Sequence, residues 1–127
     1  MDNIRKILVV CTGNACRSPM AEGFLKKYFS AEDGFEITSA GIFTTGGMPP
    51  TPTAVQVMSE QDVDISGYLS TAFDKAVARA ADLILVMSDM HKDFVREKVF
   101  GIDKKRFLYK EFAGTICTNK NIDDPIG

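Results

Sequence analysis

Residues 6–19 read KILVVCTGNACRSP, and this stretch decides the fold class of the chain. Its KILVV segment is mostly aliphatic and β-branched, which is typical of a strand buried on both faces of a parallel sheet. The run ends at Cys11, and the Gly-Asn pair that follows favours a tight turn. The Ser-Pro pair at 18–19 is typical of a helix start. The stretch therefore predicts a strand, a short loop and a helix in direct succession.

The rest of the chain repeats this alternation. Alternating strands and helices predict one α/β domain over residues 1–127, with a parallel sheet and right-handed crossovers. In such sheets ligands bind beyond the carboxyl ends of the strands, where the loop after Cys11 lies. Further strands are predicted at 35–40, 83–87 and 106–109, and helices from Ser18, from Thr51, over 72–81 and over 89–100 with Ser88 as N-cap.

Composition and charge exclude several classes of protein. The 15 basic and 17 acidic residues give a net charge of -2, which offers no general attraction to nucleic acid or anionic membranes. No apolar stretch approaches the roughly 18 residues of a membrane span, and the N-terminal run is too short for a signal peptide. Three cysteines, two of them in one loop, form no disulfide framework. We expect a soluble cytoplasmic protein with no nucleic-acid or membrane partner.

Residues 12–17, here named the anion loop, have the properties of an oxyanion site. A strand-to-helix loop presents successive backbone N–H groups, and the helix N-terminus adds a partial positive charge. The five residues between Cys11 and Arg17 are enough to curl around one tetrahedral anion and bring the guanidinium back to two of its oxygens. The Cys11 sulfur then faces the central atom, and we expect the same donors to keep it ionised at neutral pH. Ser18 can donate a hydrogen bond to that sulfur.

These groups predict phosphoryl transfer to a cysteine. Cys11 is the candidate nucleophile, and the loop amides with Arg17 meet the charge that develops on the phosphoryl oxygens, so no metal or cofactor is expected. The leaving group needs a proton from another loop. Asp124 is the candidate acid because Pro125 restricts its backbone, and Asp123 is a nearby competitor.

Several side chains lie outside this constellation. Phe43 follows the second predicted strand beside the expected pocket, where lining the pocket and packing are both open. His91, the only histidine, falls in the first turn of a polar-faced helix, which predicts a surface role. Cys117 is predicted to be an ordinary loop thiol. The residues predicted to form the core face of the first helix are Met20, Phe24, Leu25 and Tyr28.

The segment VCTGNACRSP resembles, at every fixed position, the loop V-C-x-G-N-x-C-R-S-P of the low-molecular-weight protein tyrosine phosphatase family. The likeness continues through MAEG, which is similar to bacterial members, and through residues 38–41, 81–87 and 123–125. It implies a flavodoxin-like sheet of four parallel strands in the order 2-1-3-4. It also implies an enzyme that acts on a phosphorylated protein or a small phosphomonoester. Family members usually continue into another helix beyond Gly127, so this chain is expected to be truncated or to lack that C-terminal helix.

The resemblance also implies roles for individual residues. Cys11 is implied as nucleophile, Arg17 as phosphate clamp and Asp124 as acid and then base. Asn14 is implied to hold the loop shape through Ser39, and Cys16 to form a reversible disulfide with the nucleophile after oxidation. Taken together, the residues expected to bind substrate are Thr12, Gly13, Asn14, Ala15, Cys16, Ser18, Phe43 and Ile126.

Substrate preference is open at this point. Ile126 stands where tyrosine-directed members carry an aromatic residue, and Ala15 lacks both their bulky aliphatic side chain and the threonine hydroxyl of bacterial arginine phosphatases. Phosphotyrosine and phosphoarginine proteins are therefore both candidates. Thioredoxin-coupled arsenate reductases share the fold and loop but need further cysteines after the third strand, and residues 88–100 contain none. The presence of both Cys11 and Asp124 argues against a non-catalytic phosphate-binding module.

Overall fold

The computed structural model describes residues 5–13, 17–29, 31–99 and 106–108. Within them lies one parallel sheet with the strand order β2-β1-β3-β4. The predicted α/β class with a parallel sheet is confirmed, and the predicted C-terminal end of the domain lies outside the described residues. The strands are β1 (Lys6–Cys11), β2 (Glu36–Gly41), β3 (Leu83–Val86) and β4 (Arg106–Leu108). The α-helices are α1 (Arg17–Tyr28), α2 (Pro52–Glu60), α3 (Lys75–Ala80) and α4 (Asp89–Lys98).

β1 is an interior strand, paired in parallel with β2 on one side and with β3 on the other. Its aliphatic run suits this place because every side chain from Ile7 to Cys11 is at most 3% exposed. The side chains alternate between the two faces of the sheet. Ile7, Val9 and Cys11 pack with Leu25 of α1. Leu8 and Val10 pack on the opposite face with Ala78 of α3 and Val95 of α4.

Two helix starts follow their capping residues closely. The Thr51 hydroxyl accepts from the Ala54 backbone N–H, and Pro52 occupies the first turn, as the sequence predicted for α2. α3 begins at Lys75 and not at Ala72, because the Asp74 carboxylate caps it by accepting from the Val77 N–H at 2.7 Å. Ala72 instead bridges to Gly41 beside the sheet. The prediction of a helix over 72–81 was therefore too long at its start.

The core face of α1 was predicted correctly except at its last residue. Leu25 is buried, and Met20 and Phe24 pack against a cluster formed by Ala54, Met58 and Ile65. Tyr28 is 72% exposed, because it ends the helix beyond the area that the sheet and α2 cover. Among the described residues, no helix has both the length and the apolar character needed to cross a membrane.

Replacing Gly23 of α1 with alanine should destabilise the protein. A Cβ atom there would lie 2.9 Å from Ile65 Cγ2, 2.9 Å from Val63 Cγ1 and 3.2 Å from Met58 Cε. The two β-branched neighbours are stiff, so overpacking should cost about 1–3 kcal/mol, against about 1 kcal/mol gained in helix propensity. Urea unfolding should therefore report a net loss of about 1 kcal/mol for Gly23→Ala.

Gly67→Ala is the matched control for this experiment. A Cβ at Gly67 would meet no atom within 4 Å, so the same chemical change should leave stability equal or slightly higher. An unfolding free energy of Gly23→Ala at or above that of the parent would show that α1 and the segment after α2 are packed more loosely than described.

Candidate active site

β1 carries Cys11 to the carboxyl edge of the sheet, where its side chain is 3% exposed. The main chain past the strand stays paired with the segment that follows β2. The Ile42 N–H donates to the Cys11 carbonyl at 3.0 Å, and the Phe43 N–H donates to the Thr12 carbonyl at 2.8 Å. The first residues of the anion loop are therefore held by a continuation of the sheet's own hydrogen bonds.

Ser18 lies beside the Cys11 sulfur. Its Oγ is 2.9 Å from Sγ, and the serine is fully buried in the first turn of α1. Since a thiolate can only accept, the hydroxyl must donate once Cys11 is ionised. The predicted contact between these two side chains is thus present.

Ser39 of β2 is hydrogen-bonded to α1 beneath this edge. Its hydroxyl donates to Glu22 Oε1 at 2.5 Å, and Lys26 Nζ lies 2.6 Å from Glu22 Oε2. Burial by itself would lower the pKa of Lys26, but the hydrogen bond and negative charge of Glu22 outweigh it, so the pKa lies above its ordinary value. Lys26 therefore stays cationic beside the largely buried carboxylate. The expected partner of Ser39, Asn14, lies outside the described residues, and that pairing stays a prediction.

The predicted surface role of His91 is wrong, because its side chain is fully buried. Its Nε2 is 2.8 Å from Thr12 Oγ1, and its Nδ1 is 2.9 Å from Oγ of Ser88, the N-cap of α4. The polar helix around it suggested exposure, but the first turn of α4 follows a fully buried strand and so begins at the sheet edge. That position, directly after the apolar run of β3, was the signal that could have found it.

Phe43 stands at the surface next to the start of the anion loop. It is 66% exposed, and its ring meets Phe94 of α4 edge-to-face with centroids 5.9 Å apart. Phe73 adds a second edge-to-face contact to Phe94 at 6.3 Å. The exposed face of Phe43 makes an apolar rim beside Thr12, and its contact with substrate stays a prediction.

The structure brings together four of the predicted site residues, and several others lie outside the described part of the chain. Cys11, Thr12 and Gly13 follow one another at the edge of the sheet, and Ser18 closes on the sulfur. Arg17 is the first residue of α1, one position before the predicted helix start at Ser18. Predicted positions outside the described part of the structure are Asn14, Ala15, Cys16, Asp124, Ile126 and the side chain of Arg17.

A family model described as low molecular weight phosphotyrosine protein phosphatase matches residues 6–127. The chain belongs to this family. Among its relatives is a probable low molecular weight protein-tyrosine-phosphatase, EpsP, of Ralstonia solanacearum, which is 44% identical over 89 residues. That alignment takes in 70% of this chain and 59% of the relative, so the chain spans well under the full length of that protein.

Two further members extend the likeness along the chain. The protein-arginine-phosphatase of Bacillus subtilis is 32% identical over 122 residues, which cover 95% of this chain and 79% of that protein. The crystal structure of the tyrosine phosphatase amsI of Erwinia amylovora superposes with a TM-score of 0.85 at 32% identity. It covers 97% of this chain and 77% of the other, so the α/β fold described above is the fold of this family.

Proposed function

We propose that the protein is a cysteine-dependent phosphatase that works through a phosphocysteine intermediate. The observation that carries the proposal is the buried contact of 2.9 Å between Cys11 Sγ and Ser18 Oγ, at the base of a strand-to-helix loop. In a chain of this family, that contact supports a thiolate held ready beneath a bound phosphoryl group. A reactive thiolate suits a reducing compartment, and we propose the cytoplasm as the place of action.

The chemistry proceeds in two steps. The Cys11 thiolate attacks phosphorus, forming an S–P bond while the bond from phosphorus to the leaving group breaks, and Asp124 gives its proton to that leaving group. The Asp124 carboxylate then takes a proton from water, whose oxygen attacks phosphorus and breaks the S–P bond. Inorganic phosphate leaves, and the thiolate regains its hydrogen bond from Ser18. The amides of residues 12–17 and the Arg17 guanidinium hold the three equatorial oxygens in both steps.

Protein phosphotyrosine is the first candidate substrate, supported by the family to which the chain belongs. Phosphoarginine protein is the second, and the observation that favours it is the 32% identity to a protein-arginine-phosphatase across 95% of this chain. The tyrosine phenolate and the arginine guanidino group are both poor leaving groups, so each needs the proton that Asp124 supplies. Residues 88–100 contain no cysteine for a disulfide relay, which argues against arsenate reduction.

Phosphate release tests the proposal. The protein should hydrolyse p-nitrophenyl phosphate without added metal and be inhibited by vanadate, which the anion loop should bind as it binds phosphate. Rates on a phosphotyrosine peptide, a phosphoarginine protein and small phosphomonoesters, measured side by side, then rank the candidate substrates. No release from any of them, with vanadate still bound, would favour a non-catalytic phosphate-binding module.

Asp124→Asn should slow a substrate with a poor leaving group more than a substrate with a good one. For phenyl phosphate the expected loss in kcat/KM, which reports the first step and not the shared hydrolysis of the phosphocysteine, is about 10²-fold, since general acid catalysis is typically of that size. For p-nitrophenyl phosphate, whose phenolate leaves with little help, the loss should be about tenfold or less. Steady-state kinetics on the two substrates gives the comparison.

Asp123→Asn is the matched control, because it makes the same change one residue earlier in the sequence. It should leave both substrates close to the parent rate. A larger loss in Asp123→Asn than in Asp124→Asn would move the role of acid to Asp123, and equal losses on the two substrates would argue against either as proton donor.

A further inference from the structure

The side chain of His91 bridges α4 and the anion loop. It is fully buried, with both ring nitrogens within hydrogen-bond distance of a hydroxyl: Thr12 Oγ1 at 2.8 Å and Ser88 Oγ at 2.9 Å. We propose that His91 is a positioning residue, which sets the place of the anion loop through Thr12. This inference rests on the proposed function, because the loop it positions is the proposed phosphate site.

Packing alone does not explain a histidine at this position. Burying a polar ring costs free energy unless its nitrogens are hydrogen-bonded, and an aliphatic residue would fill the same space without that requirement. Here both nitrogens have partners, and those partners lie on different elements of the fold. The ring therefore supplies what an aliphatic side chain cannot, which is a directional link between the N-terminus of α4 and the first residue of the loop.

Thr12 is held from two directions. Its carbonyl accepts from the Phe43 N–H at 2.8 Å, which fixes its main chain to the segment after β2. Its hydroxyl contacts His91, which fixes its side chain to α4. Cys11 points to the α1 face of the sheet, and the Thr12 side chain meets a helix of the opposite face. The sulfur and the first loop residue are thus anchored on opposite sides of the sheet.

The two ring contacts constrain the hydrogen bonds of the link. Each hydroxyl can donate to or accept from the ring nitrogen that it contacts, so both contacts hold with a neutral ring. Ser88 Oγ also accepts from the His91 backbone N–H at 3.4 Å, which adds a second contact between Ser88 and His91. Because one nitrogen of a neutral imidazole donates and the other accepts, the Thr12 and Ser88 hydroxyls take complementary roles, and either assignment keeps Thr12 tied to His91.

Displacing Thr12 should reduce the rate more than it reduces stability. Cys11 precedes Thr12 directly, and a misplacement of about 1 Å in a reacting group can cost about 10²-fold in rate. α4 also supports the rim of the pocket, since Phe94, one turn after His91, contacts Phe43. A change at His91 should therefore be seen in kcat and in phosphate affinity together.

Two substitutions of His91 separate positioning from packing. Glutamine can bring an amide group to the position of Nε2 and so keep the contact with Thr12. Asparagine reaches only the position of Nδ1, and so keeps the contact with Ser88 alone. We expect His91→Asn to lower kcat about 10- to 100-fold and to weaken phosphate binding, and His91→Gln to restore kcat to within about threefold of the parent.

Thr12→Val examines the same link from its other end. It removes the hydroxyl while keeping the shape of the side chain, and it should lower kcat to an extent similar to His91→Asn, while Thr12→Ser should keep most of the rate. The double variant with His91→Asn should be no slower than the slower single variant, because both changes break one link. If His91→Asn does not fold, the two Thr12 variants still give the answer.

Three measurements on each variant decide between the outcomes: the melting temperature, kcat with KM, and phosphate binding by calorimetry. Equal rates for His91→Gln and His91→Asn, or additive losses in the double variant, would overturn the positioning role. Cys11→Ser run alongside separates this from the proposed function. If that variant keeps turnover, the phosphocysteine mechanism fails; if it is inactive while the His91 and Thr12 variants match the parent, only the positioning role fails.

Discussion

Cys11→Ser lowers phosphate release by at least about 10³-fold and leaves the anion loop able to bind phosphate: this is the largest effect we expect from a single substitution. A serine hydroxyl stays protonated at neutral pH, and no histidine is expected beside it to take its proton, since His91 is already bonded to Thr12 and Ser88. Binding should survive because the N–H groups and Arg17 remain. The serine also removes the like-charge repulsion between a thiolate and the incoming dianion.

Steady-state release from p-nitrophenyl phosphate and calorimetry with inorganic phosphate measure the two halves of this expectation. Cys117→Ser is the control for the chemical change, because Cys117 is predicted to be an ordinary loop thiol far along the chain. It should leave the rate unchanged. Turnover of Cys11→Ser near that of the parent would rule out a covalent intermediate on this sulfur, and a matching loss in Cys117→Ser would point to a second essential cysteine.

Arg17→Ala should reduce both binding and rate, with kcat/KM falling about 10³-fold. The guanidinium is expected to hold two phosphoryl oxygens at once and to meet the charge that develops on them, and removing one such donor typically costs 10²- to 10³-fold in rate. Arg17→Lys should recover little, because an ammonium group acts as a point charge and cannot make the two parallel hydrogen bonds.

Kinetics and phosphate binding for both Arg17 variants test this, with Arg79→Ala and Arg79→Lys as controls. Arg79 lies exposed near the end of α3, so its replacement removes the same charge from the chain without touching the loop. These controls should keep the parent kcat/KM. Recovery of Arg17→Lys to near the parent rate would show that charge alone is required, and the proposed two-oxygen contact would be wrong.

The parts of the fold that could be predicted from the sequence are those encoded by neighbouring residues. The KILVV run predicted β1 because burial on both faces demands apolar side chains at every position. The helix starts at Pro52 and Asp89 followed from the capping residues directly before them. The contact between Cys11 and Ser18 was predicted because a short strand-to-helix loop brings its two ends together.

The features that could not be predicted depend on partners far away in the chain. His91 is separated from Thr12 by 79 positions, and only the tertiary structure turns a polar residue in a polar helix into a buried one. Glu22 is similar, because its hydrogen-bond partner Ser39 lies 17 positions away, on β2. Tyr28 shows the opposite error, since it was predicted on the core face and is exposed. Helical spacing predicts which residues share a face of the helix, but not where the elements packed against that face end.

The depth of Cys11 also limits the length of side chain that can deliver a phosphoryl group. With 3% of the cysteine exposed, phosphorus must descend fully into the loop before the sulfur can reach it. A phosphorylated residue on a folded or extended protein must therefore project its phosphate well clear of its own backbone. Of the substrates proposed above, phosphotyrosine and phosphoarginine have that reach, whereas phosphoserine carries its phosphate on a single methylene. The burial of one sulfur thus gives the proposed substrates a common requirement of length, separate from the chemistry of their phosphorylated groups.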